Sequence, residues 1–153
     1  MNSVLTPING VDYDICATQQ RIFREYALNG YDMKIFTEEY LMSDFCNRHM
    51  DRIYSRFQLE DVSECSDFFL PEIGYKLKKY DDGNMFDPNV AEWIGFTFRQ
   101  LQIETGLKSN DLIKKISFED MCRLYPGMHT ISEIDAAERI VKMYNLMEFD
   151  YNE

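Results

Sequence analysis

The chain has 153 residues, 16 of them Lys or Arg and 27 Asp or Glu, a net charge of −11 and a pI near 4.6. An apolar fraction of 45% with 14% aromatics excludes an acidic disordered tail, and the length suits one domain, residues 1–153, able to bury a core without staples. The acidity is spread evenly: residues 1–82 hold 9 basic and 15 acidic side chains, residues 83–153 hold 7 and 12. Neither half therefore offers the basic footprint that nucleic-acid phosphates need, and anionic membranes repel both.

There is no run of 18 apolar residues to span a bilayer. The first residues lack the basic and apolar regions of a secretory signal. Cys16, Cys46, Cys65 and Cys122 form no C-x-x-C pair, which predicts free thiols in a reducing, cytoplasmic setting. Cys46 and His49 share one helical face but supply only two of the four ligands a structural metal needs. No metal site and no cofactor is expected.

In chain order, an irregular lead-in gives way to a helix over about Ile15 to Leu28, with Ile15, Ile22, Phe23, Tyr26 and Ala27 as its apolar stripe and Asn29-Gly30 as its stop. Thr37, followed by Glu38 and Glu39, is the expected N-cap of a second helix running to about Phe57. Leu41, Phe45, His49, Ile53 and Phe57 recur along it at four-residue spacing. Arg48, Arg52 and Arg56 form a row of their own, either a solvated face or a small anion contact. Ser63 is the expected cap of a further helix that Pro71 kinks or ends. Over residues 73–77 a short strand and continued helix both fit, with helix favoured beside Lys76, Lys78 and Lys79. The loop 81–86 is the candidate boundary if the domain has two lobes.

Asp87-Pro88 is a cap followed by proline at the first helical position, opening a helix of about 17 residues that ends at Thr105-Gly106. Ser109 and Ser117 are expected to cap two short helices, the second closed by Pro126-Gly127. Thr130 and Glu133 have capping-box spacing ahead of a last helix carrying Ile134, Ala137, Ile140, Val141 and Tyr144. The pattern predicts an all-α fold, a compact bundle of about six or seven short to medium helices.

No P-loop, G-x-G-x-x-G, H-E-x-x-H or G-x-S-x-G motif is present, so no catalytic residue is assigned. His49 lies on an apolar stripe and reads as a core or boundary residue. His129 sits in an expected inter-helix loop, where functional groups concentrate. Trp93, Phe96 and Gln100 fall on one side of their helix. Arg99 reads either as a peripheral residue whose stem covers apolar surface or as a member of a recognition spot with Tyr125 and His129. Residues 105–115 followed by Ser117 suggest a helix-turn-helix, against which Glu119 and Asp120 would face phosphates.

The stretches from Thr37 to Ile73 and from Trp93 to Ala137, about half the chain, resemble small uncharacterised acidic proteins of low-GC Gram-positive bacteria associated with toxin–antitoxin loci. The resemblance implies an antitoxin-like or locus-associated protein and carries no catalytic residue set with it.

Three functional expectations follow. The first is an acidic protein-binding module, antitoxin-like, that neutralises a partner with a basic surface. Its expected contact residues are Trp93, Arg99, Tyr125, His129, Phe149 and Tyr151, steered by the chain's negative field. The second is a nucleotide or small-molecule site near Arg99, Tyr125 and His129, with Glu104 beside them. The third is a helix-turn-helix regulator.

Overall fold

The computed structural model describes Leu5, residues 8–52 and residues 54–147, without the side chain of Asp82. Phe149 and Tyr151, expected as contact anchors, and Ile53, on the expected stripe, lie outside the described residues. Seven α-helices are present among the described residues. They are α1 (Gly10–Leu28), α2 (Met33–Leu41), α3 (Val62–Ile73), α4 (Pro88–Thr105), α5 (Ser109–Lys115), α6 (Phe118–Met128) and α7 (Glu133–Met143). A π-helical stretch at Cys46–Met50 and 3-10 turns at Arg56–Leu59, Gly74–Lys76 and Asp81–Gly83 fill the connections. The fold is all-α and compact; the sole backbone pairing of β type among the described residues is an isolated bridge between Tyr31 and Lys79.

The architecture is organised on the packing of α1 against α4. Gly95 makes this close approach possible. A Cβ at that position would stand 2.7 Å from Phe23 Cγ and 2.9 Å from the Gln19 carbonyl oxygen, inside any normal contact. Gln19 then donates from Nε2 to the Gly95 carbonyl at 2.8 Å, tying the two backbones together. Phe23, Phe36, Tyr40 and Phe69 interlock edge to face at this centre, with ring centroids 5.3 to 6.0 Å apart. Residues from both sides of loop 81–86 join one hydrophobic cluster, Ile22 and Met33 with Ile94, Leu112 and Ile140 among them.

Several boundaries differ from the sequence expectation. The second helix is capped by Asp32, whose side chain accepts from the amides of Lys34 and Ile35, not by Thr37. Thr37 is buried in mid-helix, and its hydroxyl has no hydrogen-bond partner among the described residues. That helix stops at Leu41 and the chain then tightens at Ser43, whose hydroxyl donates to the Tyr40 carbonyl at 2.6 Å and accepts the Cys46 amide. Asp61, not Ser63, caps α3. Pro71 does not end α3, which runs two residues further to Ile73. Likewise α6 continues past Pro126-Gly127 to Met128, which is buried, and closes with the His129 amide donating to the Tyr125 carbonyl at 3.0 Å. His129 is thus a helix C-cap rather than a loop residue. Ser132, accepting from Asp135, caps α7 in place of Thr130.

Other local expectations are met in detail. Asp87 accepts from the Asn89 amide with Pro88 at the first helical position, and α4 ends on Gly106 with φ +75, the left-handed region that glycine enters without cost. Ser117 and Asp120 form a reciprocal capping box. The cap of α5 departs from expectation: Lys108 stands there, and Ser109 is the first helical residue.

Candidate functional site

On α4, Trp93, Phe96 and Gln100 recur at three- and four-residue spacing and so share one face. That face is the floor of an open groove of about 330 Å³, walled by Tyr13 and Gln20 of α1, Tyr125 and Met128 of α6, and Glu133 and Ala136 of α7. The aromatic walls are ordered by ring contacts. Tyr13 stands edge-on to Phe96 with centroids 5.2 Å apart, and Trp93 stands edge-on to Tyr125 at 5.8 Å. Tyr125 and His129 lie parallel, 4.1 Å apart and 6° from coplanar. This stack is fixed by spacing four on one helix end and by the His129 ring: Nδ1 is 2.6 Å from the Tyr125 carbonyl oxygen. The half-buried Trp93 and Tyr125 and the exposed His129 and Tyr13 therefore present rigid aromatic surface to solvent.

The polar groups of the groove are held by its walls. Gln100, buried, donates to the Glu133 carbonyl at 3.1 Å and so docks the start of α7 on α4. Arg24 pairs with Glu92 Oε1 at 2.8 Å, while Gln20 approaches Glu92 Oε2 at 3.4 Å. The Glu133 carboxylate lies in the first turn of α7, where the helix dipole favours negative charge. It has no ion pair or hydrogen bond among the described residues. Beyond the groove, Glu104 is half-buried and faces Asp12 and Glu138. Burial first, then these like charges, push its carboxyl up to about 7 from the ordinary 4.5.

Of the expected contact residues, the structure brings Trp93, Tyr125 and His129 together. Arg99 does not join them. It lies outside the groove lining, fully buried, where all five of its N–H groups find acceptors. Nε and Nη2 donate to Gln19 Oε1 at 3.0 and 2.7 Å, Nη1 donates to Asp51 Oδ1 at 2.7 Å and Gln102 Oε1 at 3.1 Å, and Nη2 lies 3.7 Å from Cys46 Sγ. Arg99 is an internal tie, not a peripheral residue. Glu104 likewise lies outside the groove lining, so the four-residue site of Arg99, Glu104, Tyr125 and His129 is not assembled. Sequence reading missed Tyr13, Gln20 and Glu133 as groove residues. Tyr13 precedes the expected helix start, and nothing in the spacing within one helix signals which other helices will face it.

The second cavity of note, about 480 Å³, has Asp12, Ile15, Asp51, Tyr54, Gln58 and Gln102 among its lining residues. Tyr54 adopts φ +64 there, a strained conformation for a bulky residue. His49 packs edge-on against Phe57 at 4.8 Å and tilted against Phe45 at 5.6 Å. Partial burial first, then Arg48, Arg52 and Arg56, depress its pKa. Arg56 lies over the Phe57 ring at 4.7 Å and pairs with Glu64 at 3.6 Å.

Among the described residues no group of three or more His, Cys, Asp or Glu is placed to hold a metal ion. No helix of the described residues is long and apolar enough to cross a membrane. Compared with protein-family models, curated proteins and solved structures, the chain matches none.

Proposed function

We propose that this protein is an acidic binding module that recognises a protein partner through the groove formed by α1, α4, α6 and α7. The observation that carries the reading is the rigid aromatic wall of Trp93, Tyr125 and His129 beside an uncompensated carboxylate, on a chain of net charge −11. Partially exposed aromatics held in fixed rotamers are the residue types that anchor protein interfaces, and a negative field steers a basic partner to them. The antitoxin-like role implied by the family resemblance fits the same chemistry: a toxin with a basic active-site groove would be neutralised by occupying it.

A helix-turn-helix role draws less support. Glu119 and Asp120 occupy the first turn of α6, and Glu119 is already paired with Lys34 at 2.6 Å. A small-molecule site built around Arg99 draws none, since every donor of that residue is spent internally.

The test is capture of partners from the native host with the tagged full-length chain, identified by mass spectrometry, at low and high salt and with two groove variants. His129→Ala is chosen because the side chain is exposed, Tyr125→Ala because it removes the middle ring. The expected result is one stoichiometric protein with a basic surface, diminished by salt and by both variants. A partner retained equally by both variants would move the interface elsewhere, and a partner retained equally in salt would remove its electrostatic component.

A further inference from the structure

We propose that the groove's occupant is an arginine side chain of a basic peptide segment, its guanidinium stacked on the Trp93–Tyr125–His129 wall and bonded to the Glu133 carboxylate. This rests on the binding-module reading and specifies its chemistry. Three observations select the occupant.

The first is size. A cleft of about 330 Å³ lies at the lower end of ligand-binding clefts, roughly 300–1,000 Å³. It admits one or two side chains rather than a helix.

The second is shape. Tyr125 and His129 already form a parallel stack at 4.1 Å, and His129 is exposed. A planar, delocalised, weakly hydrated cation extends such a stack, and guanidinium does so better than ammonium.

The third is charge. Arg24 answers Glu92 Oε1 at the groove's rim at 2.8 Å. It cancels the Glu92 charge, leaving Glu133 as the lining carboxylate with no cation beside it among the described residues.

The groove carries its own reporter, because Trp93 is the one tryptophan of the chain. The experiment titrates the full-length protein with three capped pentapeptides, Ac-Ala-Xaa-Ala-Xaa-Ala-NH2, in which Xaa is arginine, lysine or citrulline, following Trp93 emission at two salt concentrations. Citrulline keeps the planar shape and removes the charge. The arginine peptide is expected to change Trp93 emission saturably and to bind several-fold more tightly than the lysine peptide and at least tenfold more tightly than the citrulline peptide.

Glu133→Gln should weaken the arginine peptide about tenfold. Asp67→Asn, an exposed carboxylate on α3 away from the groove, should change it less than twofold. Equal losses in the two variants would overturn the proposal in favour of the diffuse negative field, and equal binding of arginine and citrulline would overturn the cation. Absence of any saturable Trp93 response to the arginine peptide would overturn it as well. In that event, partner capture that still depends on Tyr125 and His129 would leave the binding-module reading standing alone.

Discussion

Asp51 Oδ1 accepts from Arg99 Nη1 at 2.7 Å and from the Ser109 hydroxyl at 2.5 Å, while Oδ2 accepts the Ser109 amide at 3.0 Å. One carboxylate thus joins the segment after the π-helical stretch to α4 and to the start of α5, with side-chain exposures of 0% for Arg99 and 5% for Asp51. Removing one member of such a pair strands the other charge in low dielectric, which costs about 3–5 kcal/mol. Asp51→Ala is expected to lower stability by about that amount, read from urea unfolding. Asp51→Asn should lose less, because it keeps an acceptor for Ser109.

Gly95 sets the distance between α1 and α4. Gly95→Ala would normally favour a helix, but here the added methyl collides with Phe23 and the Gln19 carbonyl. The variant is expected to be destabilised by about 1–3 kcal/mol, the usual range for overpacking a core. Gly127→Ala, with nothing within 4 Å of the added carbon, is the matched control and should be neutral or slightly stabilising in the same thermal melt.

The raised Glu104 carboxyl gives stability a direction with pH. Its folded pKa, about 7, lies above the ordinary 4.5, so between these values the folded chain holds more protons than the unfolded one. Its contribution to stability is therefore fully present below about 4.5 and is lost as pH rises to about 7. Glu104→Gln should remove this component and raise the urea midpoint at pH 8 while changing it little at pH 5. A midpoint shift equal at both pH values would assign the effect to packing instead.

The cysteines predict a simple thiol count. Burial pushes the Cys16, Cys46 and Cys65 thiols up to about 12, opposed mainly by Arg99 for the first two, and raises Cys122 less. All four are free. A thiol-specific chromogenic reagent should titrate Cys122 alone in the folded protein, and slowly, and all four in denaturant. A second reactive thiol in the native state would mean that α1, the π-helical stretch or α3 opens readily.

The helices that cap themselves locally were the legible part of this sequence. Asp87-Pro88 and Gly106 bracket α4, and Ser117 with Asp120 opens α6, because each signal acts on amides two or three residues away. Where two candidates competed within a few residues, the sequence did not discriminate. Thr130 and Ser132 each have an acid three residues on, and tertiary placement of α7 against Gln100 decides between them. Asp32 was readable as a cap directly after Asn29-Gly30, but the Glu38-Glu39 pair drew the helix start five residues too far.

Arg99 shows the deeper limit. On its own helix it is a charged residue among apolar ones, which fits a rim as well as an interior. Its acceptors, Gln19 and Asp51, lie 80 and 48 residues away, and no local pattern announces them. The groove divides the same way. The Trp93–Phe96–Gln100 face follows from helical period, whereas the arrival of Tyr13 and Glu133 depends on how three other helices pack.

The α1–α4 contact also determines what loop 81–86 can tolerate. Its two flanking segments are not independent folding units, since the Phe23 side of α1 is covered by Gly95 and its neighbours only once α4 has arrived from beyond the loop. Each half alone would expose half of a shared interior and would be prone to self-association. Yet the exposed Gly83 at the loop's centre bears none of that packing. A backbone nick there should leave the two pieces clasped as a noncovalent pair, so the chain lends itself to division into complementing fragments whose reunion reports directly on the closure of α1 over α4.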